Sequence, residues 1–255
     1  MPNPRREFLQ LLAAGAAAAS IPTPSRSATP PRYKAVAFDA FPVFDPRPIA
    51  APAERLFPGR GAELMNAWRS RQFEYQWLRA MGGRYADFLQ ATEEALVFAA
   101  KAVKVELGSE ERAKLMAGWS DLQAWPDAAQ SLAALKRAGL RLAFLSNMTE
   151  AMLRAGIASA GLDGVFEHVL STDSIRTYKP DPRGYQLGVD AFGLPREEIL
   201  FVSFAGWDTA GAKWFGYPVF WVNRLGVPPE ELGVTADGMG RGLADLVTFV
   251  EQRRL

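Results

Sequence analysis

One alternation restricts the fold of this chain more than any other feature. From Asp127 onward, short apolar runs alternate with helical patterns. The runs at 141–145, 169–171, 199–202 and 219–222 are too short for buried helices and read as strands. Helical patterns fall at 127–138, 150–160, 181–192, 208–215 and 243–251, and Gly139 stops the first of them. This predicts an α/β fold, a parallel sheet with helices on both faces. An earlier apolar run, Lys34-Ala35-Val36-Ala37-Phe38, adds a strand that ends at Asp39. Between that strand and the alternating part, helices are expected at 61–81, 85–104 and 109–122, with almost no strand signal. Ser109-Glu110-Glu111 opens the last of these with an N-cap and acids in the first turn. The expected organisation is a core of residues 32–46 and 123–255 with a helical subdomain, residues 47–122, inserted into it.

Open parallel sheets bind ligands at the carboxyl ends of their strands. Asp39, Ser146 with Asn147, the Tyr178-Lys179-Pro180 loop, and Ser203 with Asp208 all fall at or just after such ends. A carboxylate at the end of a wholly apolar strand is held rigidly and can act as a nucleophile that forms an ester. It can equally be a turn residue bonding backbone amides. Pro180 biases Lys179 towards an extended conformation. Its ammonium could then keep Asp39 ionised, or it could be an ordinary solvated lysine. Arg69 lies inside a helix, and its neighbours at helical spacing, Met65, Asn66, Gln72 and Phe73, include no acid to pair with. A guanidinium on such a face suits an anion, although a surface arginine is the alternative. Asp208 reads as an N-cap, or as a group that orients Lys179 or a hydrolytic water.

The rest of the composition removes other chemistries. Cysteine is absent, which excludes disulfides and thiolate nucleophiles. His168 is the only histidine, so neither a multi-histidine zinc site nor a Ser-His-Asp triad fits; it reads as structural. No metal and no cofactor are expected. A net charge of +1 gives no field for nucleic acid. At the N-terminus, Arg5-Arg6, Phe8-Leu9 and the short run 11–19 have the order of a twin-arginine export signal, followed by a Pro/Ser/Thr-rich linker to residue 31. The run is shorter than the ~20 residues a membrane span needs. The expectation is therefore a periplasmic protein without stable membrane insertion.

The segments Phe38-Asp39-Ala40-Phe41, Trp68-Arg69, Gln72-Phe73-Glu74-Tyr75-Gln76-Trp77-Leu78-Arg79, Leu145-Ser146-Asn147, Tyr178-Lys179-Pro180-Asp181 and Trp207-Asp208 resemble the (S)-2-haloacid dehalogenases of the haloacid dehalogenase superfamily. The resemblance spans about residues 34–251. It implies a Rossmann-like core with an inserted helical cap, a short halogenated carboxylic acid and water as reactants, and a homodimer. It also implies roles. Asp39 would displace halide, and Arg69, with Asn147 and Phe88 nearby, would receive it. Ser146 and the Asn147 amide would hold the substrate carboxylate. Lys179 would balance the charge of Asp39. Ser203, Tyr185 and Asp208 would support the site, with Asp208 helping to activate water. Phe41, Phe73 and Trp207 would line the apolar part of the pocket.

The chain departs from that pattern in three places. The family's Gly-Thr-Leu-Phe-Asp turn is shortened here to Pro42-Val43-Phe44-Asp45 after Phe41, without the threonine hydroxyl. Its Ser-Ser-Asn becomes Ser203-Phe204-Ala205, and a cap glutamine becomes Ser70. The lost hydroxyl and amide are expected to slow ester hydrolysis. A superfamily phosphatase would carry a second Asp where Phe41 stands, and an apolar ring can neither protonate a leaving alcohol nor hold magnesium. A periplasmic small-carboxylate-binding or degenerate relative without efficient turnover is the remaining alternative. If export uses the paired arginines, the double substitution Arg5→Lys, Arg6→Lys leaves precursor in the cytoplasm. Normal recovery of processed protein from the periplasm would rule that signal out.

Overall fold

The computed structural model describes residues 33–253. The twin-arginine pattern and its linker lie outside the described residues. The chain opens with β1 (Ala35–Phe38), a single helical turn α1 (Ala40–Val43) and β2 (Phe44–Asp45). Four helices follow: α2 (Arg47–Leu56), α3 (Gly61–Met81), α4 (Phe88–Ala102) and α5 (Ser109–Ala117). The chain then passes through β3 (Gln123–Ala124), α6 (Ala128–Arg137), β4 (Arg141–Ser146), α7 (Glu150–Ser159) and β5 (His168–Ser171). It ends with α8 (Pro182–Phe192), β6 (Ile199–Ser203), α9 (Gly206–Phe215), β7 (Val219–Val222), β8 (Gly238–Gly240) and α10 (Leu243–Gln252).

Six strands form one parallel sheet in the order β5-β4-β1-β6-β7-β8. β1 is central and buried on both faces, which is why it reads as a continuous apolar run. Its residues divide between two cores. Val36 and Phe38 pack with Leu132, Leu153, Leu246 and Val250, from α6, α7 and α10. Ala35 and Ala37 pack with Tyr185 and Ala212, from α8 and α9. The fold is thus a Rossmann-like α/β core with a helical cap inserted between β2 and β3. Those two short strands pair antiparallel, Phe44 opposite Ala124, and close the base of the insertion.

The strands predicted from sequence are present, with ends shifted by at most one residue. Several elements were not legible. Helix α2 hides behind Pro48 and Pro52, which oppose helix formation in a sequence reading; Pro48 lies in its first turn, where no backbone donor is needed. Strand β8 is Gly-Met-Gly, without a β-branched residue. Helix α4 begins later than expected, because Asp87 caps it through Gln90 N–H (2.8 Å). Helix α5 stops early, at Ala117. His168 lies edge-on to Phe192, in keeping with a structural role. No helix among the described residues is long and apolar enough to cross a membrane.

Gly211 in α9 lets the helix approach the site-bearing loops. A Cβ there would stand 2.4 Å from the Tyr185 hydroxyl and 2.6 Å from Pro180 Cβ. Helix propensity favours Ala over Gly by about 1 kcal/mol, but the overlap should reverse the sign. Gly211→Ala is expected to destabilise by about 1–3 kcal/mol in urea unfolding, and a more stable variant would show that the contact is soft.

Candidate active site

The three strands at the centre of the sheet fix the site. In the ladder Phe38 lies between Phe144 and Val202, so the residues that follow these positions emerge side by side at the sheet edge. Asp39 N–H donates to Val202 O (2.9 Å), and the Asp39 side chain caps α1 through Phe41 N–H (3.4 Å). The turn behind it is pinned from three directions. Trp125 Nε1–H donates to Phe41 O (3.0 Å), Trp125 N–H to Val43 O (2.9 Å), and Arg224 to Pro42 O (3.1 Å). The capping reading of Asp39 and the reactive one therefore coexist: one carboxylate serves the turn and faces the cavity.

Lys179 is fully buried behind Asp39. Its ammonium donates to Asp39 Oδ1 (3.0 Å), Asp208 Oδ2 (2.6 Å) and Leu145 O (3.1 Å), which uses all three N–H donors. The solvated alternative for this lysine is thereby corrected. Burial alone would push its pKa down, but Asp208 and then Asp39 outweigh burial and raise it. One ammonium faces two carboxylates. Burial, helped by the charge of Asp39, pushes Asp208 up to about 6 against the pull of Lys179. Tyr185 donates to Asp208 Oδ1 (2.7 Å), and its own hydroxyl is raised well above 10 by burial and then by Asp208. Tyr217 in turn donates to Tyr185 O (2.7 Å).

Asp208 is not the N-cap that its sequence position suggests. Helix α9 begins at Gly206 with Ala205 at the cap, so Asp208 falls in the first turn and turns inward to Lys179 and Tyr185. Asn147 Oδ1 accepts from Lys179 N–H (2.8 Å) and Thr172 Oγ1 (3.1 Å), fixing the lysine's backbone as well. Ser203 stands a step back: its hydroxyl is 2.6 Å from Thr209 Oγ1, and it does not line the cavity.

In front of Asp39 lies a cavity of about 30 Å³ between sheet edge and cap. Of the sequence-predicted residues, Asp39, Phe41, Arg69, Phe73, Phe88, Ser146, Asn147 and Trp207 all line it. Wider hollows of about 750 and 820 Å³ open elsewhere, but none of these strand-end groups lines them. Ser146 Oγ lies 3.4 Å from Asp39 Oδ1. Phe73 packs edge-on against Trp207 (5.5 Å), and Phe41 packs against Phe204 (5.9 Å). Arg69 stands at the mouth, 5.6 Å above the Phe73 ring, with open surface towards solvent. Protein crowding nevertheless lowers its pKa, against the pull of Asp39. Arginine stays protonated in proteins, so the group faces Asp39 as a cation. The cap meets the core through Trp77 Nε1–H to Lys179 O (3.1 Å), Tyr178 hydroxyl to Ala86 O (2.6 Å) and Tyr85 hydroxyl to Asp173 (2.6 Å). Among the described residues no group of three or more His, Asp or Glu gathers as metal ligands do.

The family model for haloacid dehalogenase-like hydrolases matches residues 15–216. The chain belongs to that family. It is 41% identical over 219 residues to the (S)-2-haloacid dehalogenase of Pseudomonas sp. (strain YL), covering 86% of this chain and 94% of the relative. A crystal structure of an L-2-haloacid dehalogenase superposes with a TM-score of 0.84 at 43% identity, covering 86% of this chain and 99% of that one. The L-2-haloacid dehalogenase of Xanthobacter autotrophicus, solved with chloropropionic acid covalently bound, has a TM-score of 0.78 at 37% identity, covering 86% and 98% of the two chains.

Sequence reasoning about this haloacid dehalogenase-like hydrolase named Ala205 only as a departure near the water position, and gave no site role to Gln76, Met148 and Phe204 in the cavity wall or to Thr172 behind it. Gln76 follows Arg69 and Phe73 at i+7 and i+3, a spacing that could have revealed it. The electrostatics give an ordered test. As pH rises through about 6, Asp208 should lose its proton. Tyr185→Phe removes a bond to the ionised form and should raise that midpoint. Lys179→Met removes the larger stabilising influence and should raise it further. Carboxyl titration by ¹³C NMR reads the order, and a downward shift in either variant would contradict this account of the charges.

Proposed function

We propose that this protein hydrolyses short 2-haloalkanoic acids to 2-hydroxy acids through an ester on Asp39. One observation carries the reading: Asp39, paired with a buried lysine, opens on a small aromatic-walled cavity with a single cation, Arg69, at its mouth. The relative solved with chloropropionic acid covalently bound supports the ester route. Lys179 balances the charge of Asp39 and aims it, donating to its Oδ1 at 3.0 Å. An Asp39 oxygen bonds to the halogen-bearing carbon as the carbon–halogen bond breaks, and the halide leaves towards Arg69. The apolar walls exclude water from the displacement. Ser146 and the Asn147 amide hold the substrate carboxylate.

Water then attacks the aspartyl carbonyl, the carbon–oxygen bond to the product breaks, and Asp39 is regenerated. Asp208, held behind Asp39 by Lys179, helps to activate that water. Ser203 steadies the β6 end through Thr209. We read residues 47–122 as the cap and the flanking segments as the core. The arginine pair at positions 5 and 6 supports a periplasmic site of action, and the similarity to the haloacid dehalogenases supports a homodimer.

A halide electrode with 2-chloropropanoate, in the presence of a chelator, is expected to register steady halide release. Single turnover in oxygen-18 water should label the peptide containing Asp39, and rapid quench should trap that peptide carrying the substrate mass. Label appearing only in the hydroxy acid would mean that water attacks the substrate directly. Arg69→Lys keeps the charge but loses the planar fork and adds tighter hydration. It should lower turnover about tenfold or more, since one misplaced contact can cost about that much. Unchanged turnover with every halogen would remove Arg69 from the mechanism.

A further inference from the structure

Gln76 is fully buried, and neither its carboxamide oxygen nor its nitrogen has a hydrogen-bond partner. Buried amides are ordinarily paired. One turn earlier on the same helix, Gln72 shows the usual outcome, with Nε2 donating to Thr92 Oγ1 at 2.5 Å. Gln76 shares a face of α3 with Arg69 and Phe73 and lines the cavity onto which Asp39 opens. Its unpaired groups are therefore placed where a reactant enters.

A count of donors and acceptors narrows what that reactant is. A 2-haloalkanoate brings only acceptors, its carboxylate oxygens and its halogen. Arg69, Ser146, the Gln76 nitrogen and the unpaired Trp207 Nε1–H are donors that can meet them. The Gln76 oxygen is an acceptor, and nothing in such a substrate can satisfy it. Turning the amide over exchanges its two atoms but leaves one acceptor in the cavity. The facing Ala205 and Phe204 bring no side-chain donor. What the oxygen needs is a donor on a reactant, and the remaining reactant, water, supplies one through its O–H.

We propose that Gln76 Oε1 accepts a hydrogen bond from the hydrolytic water and aims its oxygen at the Asp39 ester carbonyl. The proposal rests on the dehalogenase reading above. In this step the water oxygen bonds to the carbonyl carbon and stays in Asp39. The ester bond to the product breaks. One water proton ends on the departing 2-oxygen, and the other passes to Asp208 and on to solvent. Gln76 takes up no proton, so it is a positioning residue. A substrate bearing its own hydroxyl could offer the same O–H, and the test separates the two sources.

Gln76→Met keeps the length and removes the acceptor, whereas Gln76→Glu retains an acceptor. Rapid-quench halide bursts and steady turnover are measured with 2-chloropropanoate and 2-chloro-3-hydroxypropanoate. Hydrolysis is normalised to burst amplitude, which counts folded sites. For Gln76→Met the burst rate should stay within about threefold while ester hydrolysis slows about tenfold or more. The Asp39 peptide carrying substrate mass should accumulate, and Gln76→Glu should recover part of the loss. Unchanged hydrolysis in Gln76→Met overturns the proposal and leaves a packing role. A slowed burst without accumulated ester overturns it in favour of halide or substrate binding. Loss confined to the hydroxylated acid overturns it in favour of substrate selection. Absence of halide release by the unaltered enzyme from either acid overturns the dehalogenase reading, and this proposal with it.

Discussion

A single ammonium group between two carboxylates, sealed from water, is the constraint around which this molecule is arranged. Lys179 is within 3.0 Å of both Asp39 and Asp208. An unpaired charge at that depth would be prohibitively costly, and even a paired one needs its remaining donors and lone pairs satisfied. The surroundings supply those partners. Leu145 O takes the third lysine proton, Asn147 fixes the lysine's backbone amide and Trp77 its carbonyl. Tyr185 occupies the far oxygen of Asp208. Burial first, and then the charge of Asp39, make the fully buried Asp208 carboxyl hold its proton to higher pH than usual, against the pull of Lys179. Asp39 sits at the cavity, where a reacting carbon can share its charge.

The opposite wall comes from one helix. α3 directs Arg69, Phe73 and Gln76 to the cavity, while Gln72 and Trp68 tie it to Thr92 of α4. Phe73, Trp77 and Trp207 form a mutually packed aromatic group that joins cap to core. That group borders the polar groups with surfaces that offer little hydrogen bonding, and electrostatic interactions act at greater strength in such surroundings.

Much of this was legible in sequence because it obeys local rules. The strands were short apolar runs, and the polar residues after them had to meet at one sheet edge. Arg69 announced itself by lacking an acidic neighbour. The rest depended on distant contacts. Asp208 looked like a cap because its helix start, Gly206, follows an irregular turn whose geometry no local pattern encodes. Helix α2 contradicts its own prolines and is held by packing of Ile49 and Ala53. Gln76 has the composition of an ordinary surface residue, and only the tertiary structure shows it buried and unpaired.

The ladder register described above has an evolutionary corollary. β1 is hydrogen-bonded on both sides and packed on both faces, so a slip of one residue would move Asp39 by about 3.3 Å and turn Phe38 to the wrong core. The position of Asp39 is therefore tightly fixed. Helix α3 carries its contribution on side chains whose backbone bonds are all internal to the helix, so those side chains can be exchanged without disturbing the sheet. New substrate preferences in a lineage of such proteins should be written on α3 and on the loops that follow the strands, while Asp39 keeps its place.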